Sequence, residues 1–171
     1  MEIKPLLACG LLAACGGAAG TAGPDSAPVD IMPDREFGVT ASTPATSPGT
    51  NQVAFGLLLN DERGAAGILP VSHDIRLSAA AQGHADEMVE YGYLSHTDRD
   101  GGSVGDRALE AGYDYSFVGE NIAEGYATDV DVMDAWMASP GHAANILDTR
   151  AVDFGIGRED DTWVMIVGAE R

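Results

Sequence analysis

The chain predicts an α+β domain whose sheet is flanked by helices. Apolar residues recur at helical spacing through the first two thirds of the domain, β-rich runs close it, and turn residues separate the elements. Gln52 to Arg63 carries Val53, Leu57 and Asn60 on one helical face, with Phe55, Leu58 and Leu59 widening the stripe. Ser47-Pro48 reads as the start of this helix, and Gly64 and Gly67 as its stops. A second helix is predicted from about Asp74 to Tyr91, because Leu77, Ala81, His84 and Met88 fall on one face, and Gly92 ends it. Ser103 caps a short helix over Val104 to Ala111 that Gly112 stops. Phe117 to Ile122 reads as a buried strand, with Gly119 implying a close approach to its backbone. Asp129 or Asp131 caps a helix that turns Val132, Met133 and Trp136 inward and breaks at Pro140. Phe154 to Gly157 and Trp163 to Gly168 form the final hairpin around Asp160-Asp161.

At 171 residues the chain holds one domain with a proper core once its N-terminal stretch is set aside, with the domain at 49–171. The net charge of −18 and pI near 4.2 argue against nucleic acid as a partner, and the only lysine is Lys4. The expected state is a monomer. Both cysteines, Cys9 and Cys15, precede the domain, so packing and not a disulfide holds it together.

Residues 1–15 read as an export signal: Lys4 supplies one positive charge and Ile3 to Ala14 an apolar run too short to span a bilayer. Leu12-Ala13-Ala14-Cys15 resembles the lipobox of bacterial lipoproteins, which makes Cys15 the acylated anchor; Leu6-Leu7-Ala8-Cys9 has the same shape with almost no hydrophobic run before it. The expectation is a cell-envelope lipoprotein held to the membrane through Cys15, the alternative being a secreted protein cut near Ala14. Residues 16–48, rich in Gly, Ala, Pro, Ser and Thr, form a tether with a reach on the order of 30 Å.

Three separated segments carry candidate chemistry: Ser95-His96-Thr97-Asp98, Gly119-Glu120-Asn121-Ile122, and Ser139-Pro140-Gly141-His142-Ala143-Ala144-Asn145-Ile146. Histidine and glutamate are donors that hold a borderline divalent metal or move protons near neutral pH. His142 and Asn145 share one face of a short helix, whose N-terminal partial charge favours a neutral imidazole. The bland alternative has His142 capping a turn and Asn145 holding a loop. Glu120, between Val118 and Ile122, is either a desolvated carboxylate in general-base range or an acceptor that pins a loop. His84 reads as a core hydrogen-bonder and His73 as a capping-region residue, and neither is assigned to the site.

The ordered set Leu59-Asn60-x-x-Arg63, Leu77-x-x-Ala80-Ala81-x-x-His84-Ala85-x-x-Met88, Ser95-His96, Gly119-Glu120-Asn121-Ile122-Ala123, Trp136-x-x-Ser139-x-Gly141-His142-x-x-Asn145-Ile146-Leu147 and Phe154-Gly155-Ile156-Gly157 resembles the CAP superfamily. That superfamily groups cysteine-rich secretory proteins, insect-venom antigen 5 and plant pathogenesis-related proteins, and this chain is most similar to its bacterial branch. The resemblance covers about residues 52 to 169. It implies a three-layer α-β-α sandwich with a central, mainly antiparallel sheet and a cleft lined by two histidines and two glutamates, where the histidines can bind zinc or another divalent ion. His96 and His142 match the histidine positions, and Glu120 the first glutamate. Ser139 stands where many eukaryotic members place the second. Asn121 and Asn145 fall in the same motifs.

Three functions compete on this reading. An extracytoplasmic binding module would use the cleft for a small ligand, lipid, peptide or cell-wall fragment. A metal-dependent hydrolase of peptide or cell-wall material would use a metal at His96 and His142, with Glu120 as general base. A structural or stress-related envelope protein would keep the cleft as a vestige. The missing second carboxylate puts binding first, because it removes half of an acid/base pair.

Overall fold

The computed structural model describes residues 51–171. Cys9, Cys15, the tether over 16–48, the helix start at Ser47-Pro48 and the boundary at Gly49 lie outside the described residues. The elements run α1 (Gln52–Ala65), β1 (Ser72–His73), α2 (Ile75–Tyr91), α3 (Val104–Glu110), β2 (Tyr115–Glu124), α4 (Asp129–Ala138), α5 (Pro140–Ile146), β3 (Asp153–Glu159) and β4 (Thr162–Glu170). The strands form one sheet in the order β1-β3-β4-β2. β2 and β3 both run antiparallel to β4, and the two-residue β1 pairs parallel with β3, so the sheet is mainly antiparallel.

Alternation along β4 sorts the core into two halves. Trp163, Met165 and Val167 point to one side, where they meet Phe55 and Leu59 of α1, Val132, Met133 and Trp136 of α4, and Ile146 of α5. Val164 and Ile166 point to the other, against Leu77, Ala81, Ala85 and Met88 of α2 and Ala108 of α3. The molecule is therefore a three-layer α-β-α sandwich. Burying each large apolar side chain in it contributes roughly 1.5–3 kcal/mol.

Gly155 and Gly157 set how closely α2 lies on the sheet. A Cβ at Gly155 would run into the backbone of Leu77 and Ser78, and one at Gly157 into that of Ala81 and Gln82. The alternate residues Phe154 and Ile156 fill the opposite half of the core. Ser78 Oγ accepts from Ile156 N at 3.2 Å, and Gln82 Oε1 from Arg158 N at 3.0 Å, so α2 also bonds to the β3 backbone.

The sequence expectation for α1 fails in its phase. Val53 and Leu57 are 75% and 65% exposed, whereas Phe55, Gly56, Leu59 and Arg63 are buried. Phe55 packs edge-on against Trp136, with ring centroids 6.2 Å apart, and Gly56 admits the Phe154 ring where a Cβ would overlap it. The buried stripe includes Arg63, whose charge hides it from a reading by hydrophobicity. Its guanidinium donates to the carbonyls of Leu69 (2.9 Å), Ile146 (2.6 Å), Asp148 (3.0 Å) and Ala151 (3.2 Å). Capping differs as well: Asn51 caps α1, and Thr128 caps α4 by accepting from Asp131 N, because a hydroxyl at the N-cap reaches the third amide. His73 lies in β1 with its Nε2 2.8 Å from Ser78 Oγ, while Asp74 caps α2. The N-cap at Ser103, the stop at Gly92 and the hairpin turn at Asp160-Asp161 stand where the sequence puts them; the structure adds that Ser103 forms a capping box with Asp106 and that Gly92 is left-handed.

Candidate functional site

Glu120 lies in the middle of β2, with Val118 and Ile122 on its side of the strand facing α2 and α3. Its carboxylate is buried and both oxygens are engaged: Oε1 is 2.8 Å from His96 Nδ1, and Oε2 accepts from Arg107 Nη2 at 2.7 Å. Arg107 comes from α3 and is buried too. It donates further to the carbonyls of His96 (3.2 Å) and Gly102 (3.3 Å), so one guanidinium fixes both the carboxylate and the loop that carries His96. His84 supports the same loop from α2, with its Nε2 2.7 Å from Ser95 O. Burial pushes the His84 imidazole below the ordinary histidine range, more strongly than the nearby Glu120 charge pulls it back.

These contacts settle the proton arrangement of a neutral His96. An ionised carboxylate only accepts, so His96 Nδ1 carries the hydrogen and Nε2 carries the lone pair. Nε2 is buried and has no hydrogen-bond partner. Glu120 thus acts on His96, fixing its ring and tautomer, while His96 Nε2 is left as a buried acceptor without a hydrogen-bond partner.

The neighbouring Asn121 points the opposite way, as alternation requires. Its Nδ2 donates to His142 O at 3.0 Å, and its Oδ1 accepts from Asn145 Nδ2 at 2.8 Å. Asn145 Nδ2 also donates to Glu120 O at 2.8 Å, and Gly119 leaves room for it: a Cβ there would stand 3.0 Å from Asn145 Oδ1. The two asparagines therefore tie α5 to β2. His142 is fully buried on α5, with its ring 6.5 Å from that of Trp136. Ser139 is the junction of α4 and α5: its N–H donates to Trp136 O, its carbonyl accepts from Ala143 N, and its side chain makes no capping bond.

The structure joins His96 to Glu120, and Asn121 to Asn145 and the His142 backbone. Among the described residues no group of three or more His, Cys, Asp or Glu side chains is placed to hold a metal ion. Glu120 is committed to Arg107 and His96, so the residues present do not assemble the three protein donors usual in a catalytic zinc site. Arg107 is the residue that sequence reasoning missed. Its signal was present, because Val104, Arg107 and Ala108 share one stripe of α3, continued by Ala111 at its C-cap, and a charge on an apolar stripe demands a buried counter-charge.

The described residues thus form an α-β-α sandwich of the CAP class, with Glu120 of the edge strand β2 paired to His96 of the loop after α2. Residues 57–166 match the cysteine-rich secretory protein family, CAP, and the chain belongs to that family. Among curated proteins it is 37% identical over 100 residues to the uncharacterized protein YkwD of Bacillus subtilis, a match covering 58% of this chain and 39% of YkwD. It is 32% identical over 91 residues to the uncharacterized membrane protein YlbC of the same organism, covering 53% of this chain and 26% of YlbC. The chain thus spans well under half the length of either relative. Among solved structures, an extracellular protein of Bacillus anthracis containing an SCP domain superposes with a TM-score of 0.67 at 25% identity, covering 69% of this chain and 40% of that one. An outer surface protein of Borrelia burgdorferi superposes with a TM-score of 0.63 at 19% identity, covering 70% of this chain and 92% of that one.

Proposed function

We propose that this protein is an extracytoplasmic binding module whose cleft takes a small ligand, lipid or peptide through the acceptor nitrogen of His96. The observation that carries this reading is the engagement of both Glu120 oxygens by His96 and Arg107. A carboxylate with one oxygen held by His96 and the other by a guanidinium at 2.7 Å has neither oxygen free to take a proton from water, and is a poor general base. The same carboxylate is well placed to hold an imidazole ready to accept a hydrogen bond from a hydroxyl or amide. Burial of both charged partners prepays the ordering of the site, which suits recognition.

Export supports the same role. The B. anthracis structure is of an extracellular protein and the B. burgdorferi one of an outer surface protein, in keeping with an envelope location reached through the N-terminal signal and a lipid anchor at Cys15. No helix among the described residues is long and apolar enough to cross a membrane. On this reading the Cys15→Ser variant moves from the membrane fraction to the soluble one.

The test is to purify the full chain from its native envelope, extract it with organic solvent, and identify co-purifying molecules by mass spectrometry beside His96→Gln. A ligand present with the parent and lost with the variant, without turnover of peptide or cell-wall material, is the expected result. Chelator-sensitive turnover that His142→Ala abolishes would replace binding with hydrolysis.

A further inference from the structure

A concavity lies in the groove between α2 and α3. It is open to solvent and has a volume of about 400 Å³. Its polar wall consists of His84, Glu87, Asp98, Arg107 and Glu110. Ala80, Gly83 and Ala111 form a wall of small residues.

His84 is 1% exposed, and its two nitrogens have different fates. Nε2 stands 2.7 Å from Ser95 O, and a carbonyl only accepts, so Nε2 carries the hydrogen and Nδ1 the lone pair. Nδ1 has no hydrogen-bond partner. The nearest carboxylate oxygen, Glu87 Oε2, is 3.7 Å away, beyond a hydrogen bond, and it too is an acceptor. Glu87 Oε1 accepts from Arg99 N at 3.2 Å and the Tyr93 hydroxyl lies beside the same carboxylate, but between Glu87 Oε2 and His84 Nδ1 two acceptors face one another with no proton between them. Burial holds the imidazole below its ordinary range, so His84 does not supply that proton itself.

The rest of the groove has the same sign. Glu110 adds a carboxylate on the exposed rim, and Asp98 adds another whose Oδ1 accepts from Gly102 N at 2.6 Å. Against these three carboxylates stands one guanidinium, that of Arg107, whose Nη2 is committed to Glu120 at 2.7 Å and whose Nη1 reaches, of the three, only Asp98, at 3.8 Å. A group that answers this arrangement needs positive charge and several N–H donors. The small-residue wall beside it suits methylenes.

We propose that the α2–α3 groove binds the ammonium head of a primary alkylamine between His84 Nδ1 and the Glu87 carboxylate, with the alkyl stem along Ala80, Gly83 and Ala111. The inference goes beyond the cleft reading and does not depend on it: Arg107 is shared, but the His96 acceptor is not used.

The test is a nuclear magnetic resonance titration of the ¹⁵N-labelled full chain with n-butylammonium chloride, with n-butanol and sodium chloride as matched probes. Butylammonium is expected to give saturating shifts confined to the amides of Gly83, His84, Glu87 and Ala111. Glu87→Gln should weaken binding by on the order of tenfold, the loss of one charge-assisted hydrogen bond. Glu90→Gln, an exposed change on the same helix outside the groove, should leave the affinity unaltered. Glu110→Gln, on the rim, should weaken binding by a smaller factor and serves if Glu87→Gln does not fold. Equal affinity for butanol, equal losses in Glu87→Gln and Glu90→Gln, shifts reproduced by sodium chloride, or shifts that never saturate would each overturn the proposal.

Discussion

Arg107 and Glu120 form a buried ion pair, Nη2 to Oε2 at 2.7 Å, that links α3 to the edge strand of the sheet. With His96 on the other oxygen, both oxygens of the carboxylate are engaged. Arg107→Met should cost about 3–5 kcal/mol in urea unfolding, because it leaves the buried carboxylate without its cation. Adding Glu120→Leu to that variant should recover most of the loss. A single-variant cost near zero would mean that solvent or His96 already neutralises Glu120.

Arg63 should matter as much for stability while lying outside the cleft. Its four bonds to carbonyls end α5 and hold the turn that leads into β3. Arg63→Met keeps the stem and removes every donor, and should destabilise by at least about 3 kcal/mol, since each orphaned buried carbonyl costs about 1–3 kcal/mol. Calorimetric melting checks this; a loss below about 1 kcal/mol would show that water replaces the guanidinium.

Glycine substitutions on the two sides of the α2–β3 contact should have opposite signs. Gly155→Ala or Gly157→Ala drives a methyl into the α2 backbone and forces helix and strand apart, so unfolding should occur at markedly lower urea. Gly83→Ala, on the exposed face of α2 with nothing within 4 Å of its Cβ, should stabilise by roughly 0.5–1 kcal/mol. Equal effects at Gly83 and Gly157 would refute the close packing of α2 on β3.

Stability should fall in two stages on acidification. The folded state holds His84 below its ordinary value of 6.5, so below that pH the unfolded chain takes up the proton first and stability declines. Asp74, bonded to Arg76, and Asp148, bonded to Arg150, are held below the ordinary 3.8; the stability they contribute is present above that value and is lost as pH falls through their lower folded values. Asp129, raised by burial, works against this second stage. Urea unfolding from about pH 8 to about pH 3 checks both, and His84→Gln should remove the first stage alone.

Zinc calorimetry on the full chain should show no binding tighter than about millimolar, because Glu120 is not free to join two imidazoles. Micromolar binding lost in both His96→Ala and His142→Ala would restore a metal centre.

The sequence by itself determined the elements and their company. The α2 stripe, the Ser103 cap, the stop at Gly92, the closing hairpin and the ordered motifs are local patterns, and local patterns survive in one dimension. Gly119 announced a close approach before Asn145 was seen to make it. The phase of α1 was not legible, because its buried stripe runs through Gly56 and the charged Arg63, and only the positions of Phe154, Trp136 and the α5 carbonyls show why those residues face inward. The cleft divides in the same way. His96, Glu120 and His142 stand out as residue types, yet their roles depend on which face of β2 each neighbour takes and on a guanidinium from another helix. Tertiary structure alone decided that Glu120 positions His96, because a carboxylate's role is set by the charge beside it, and that neighbour lies 13 residues away in the chain.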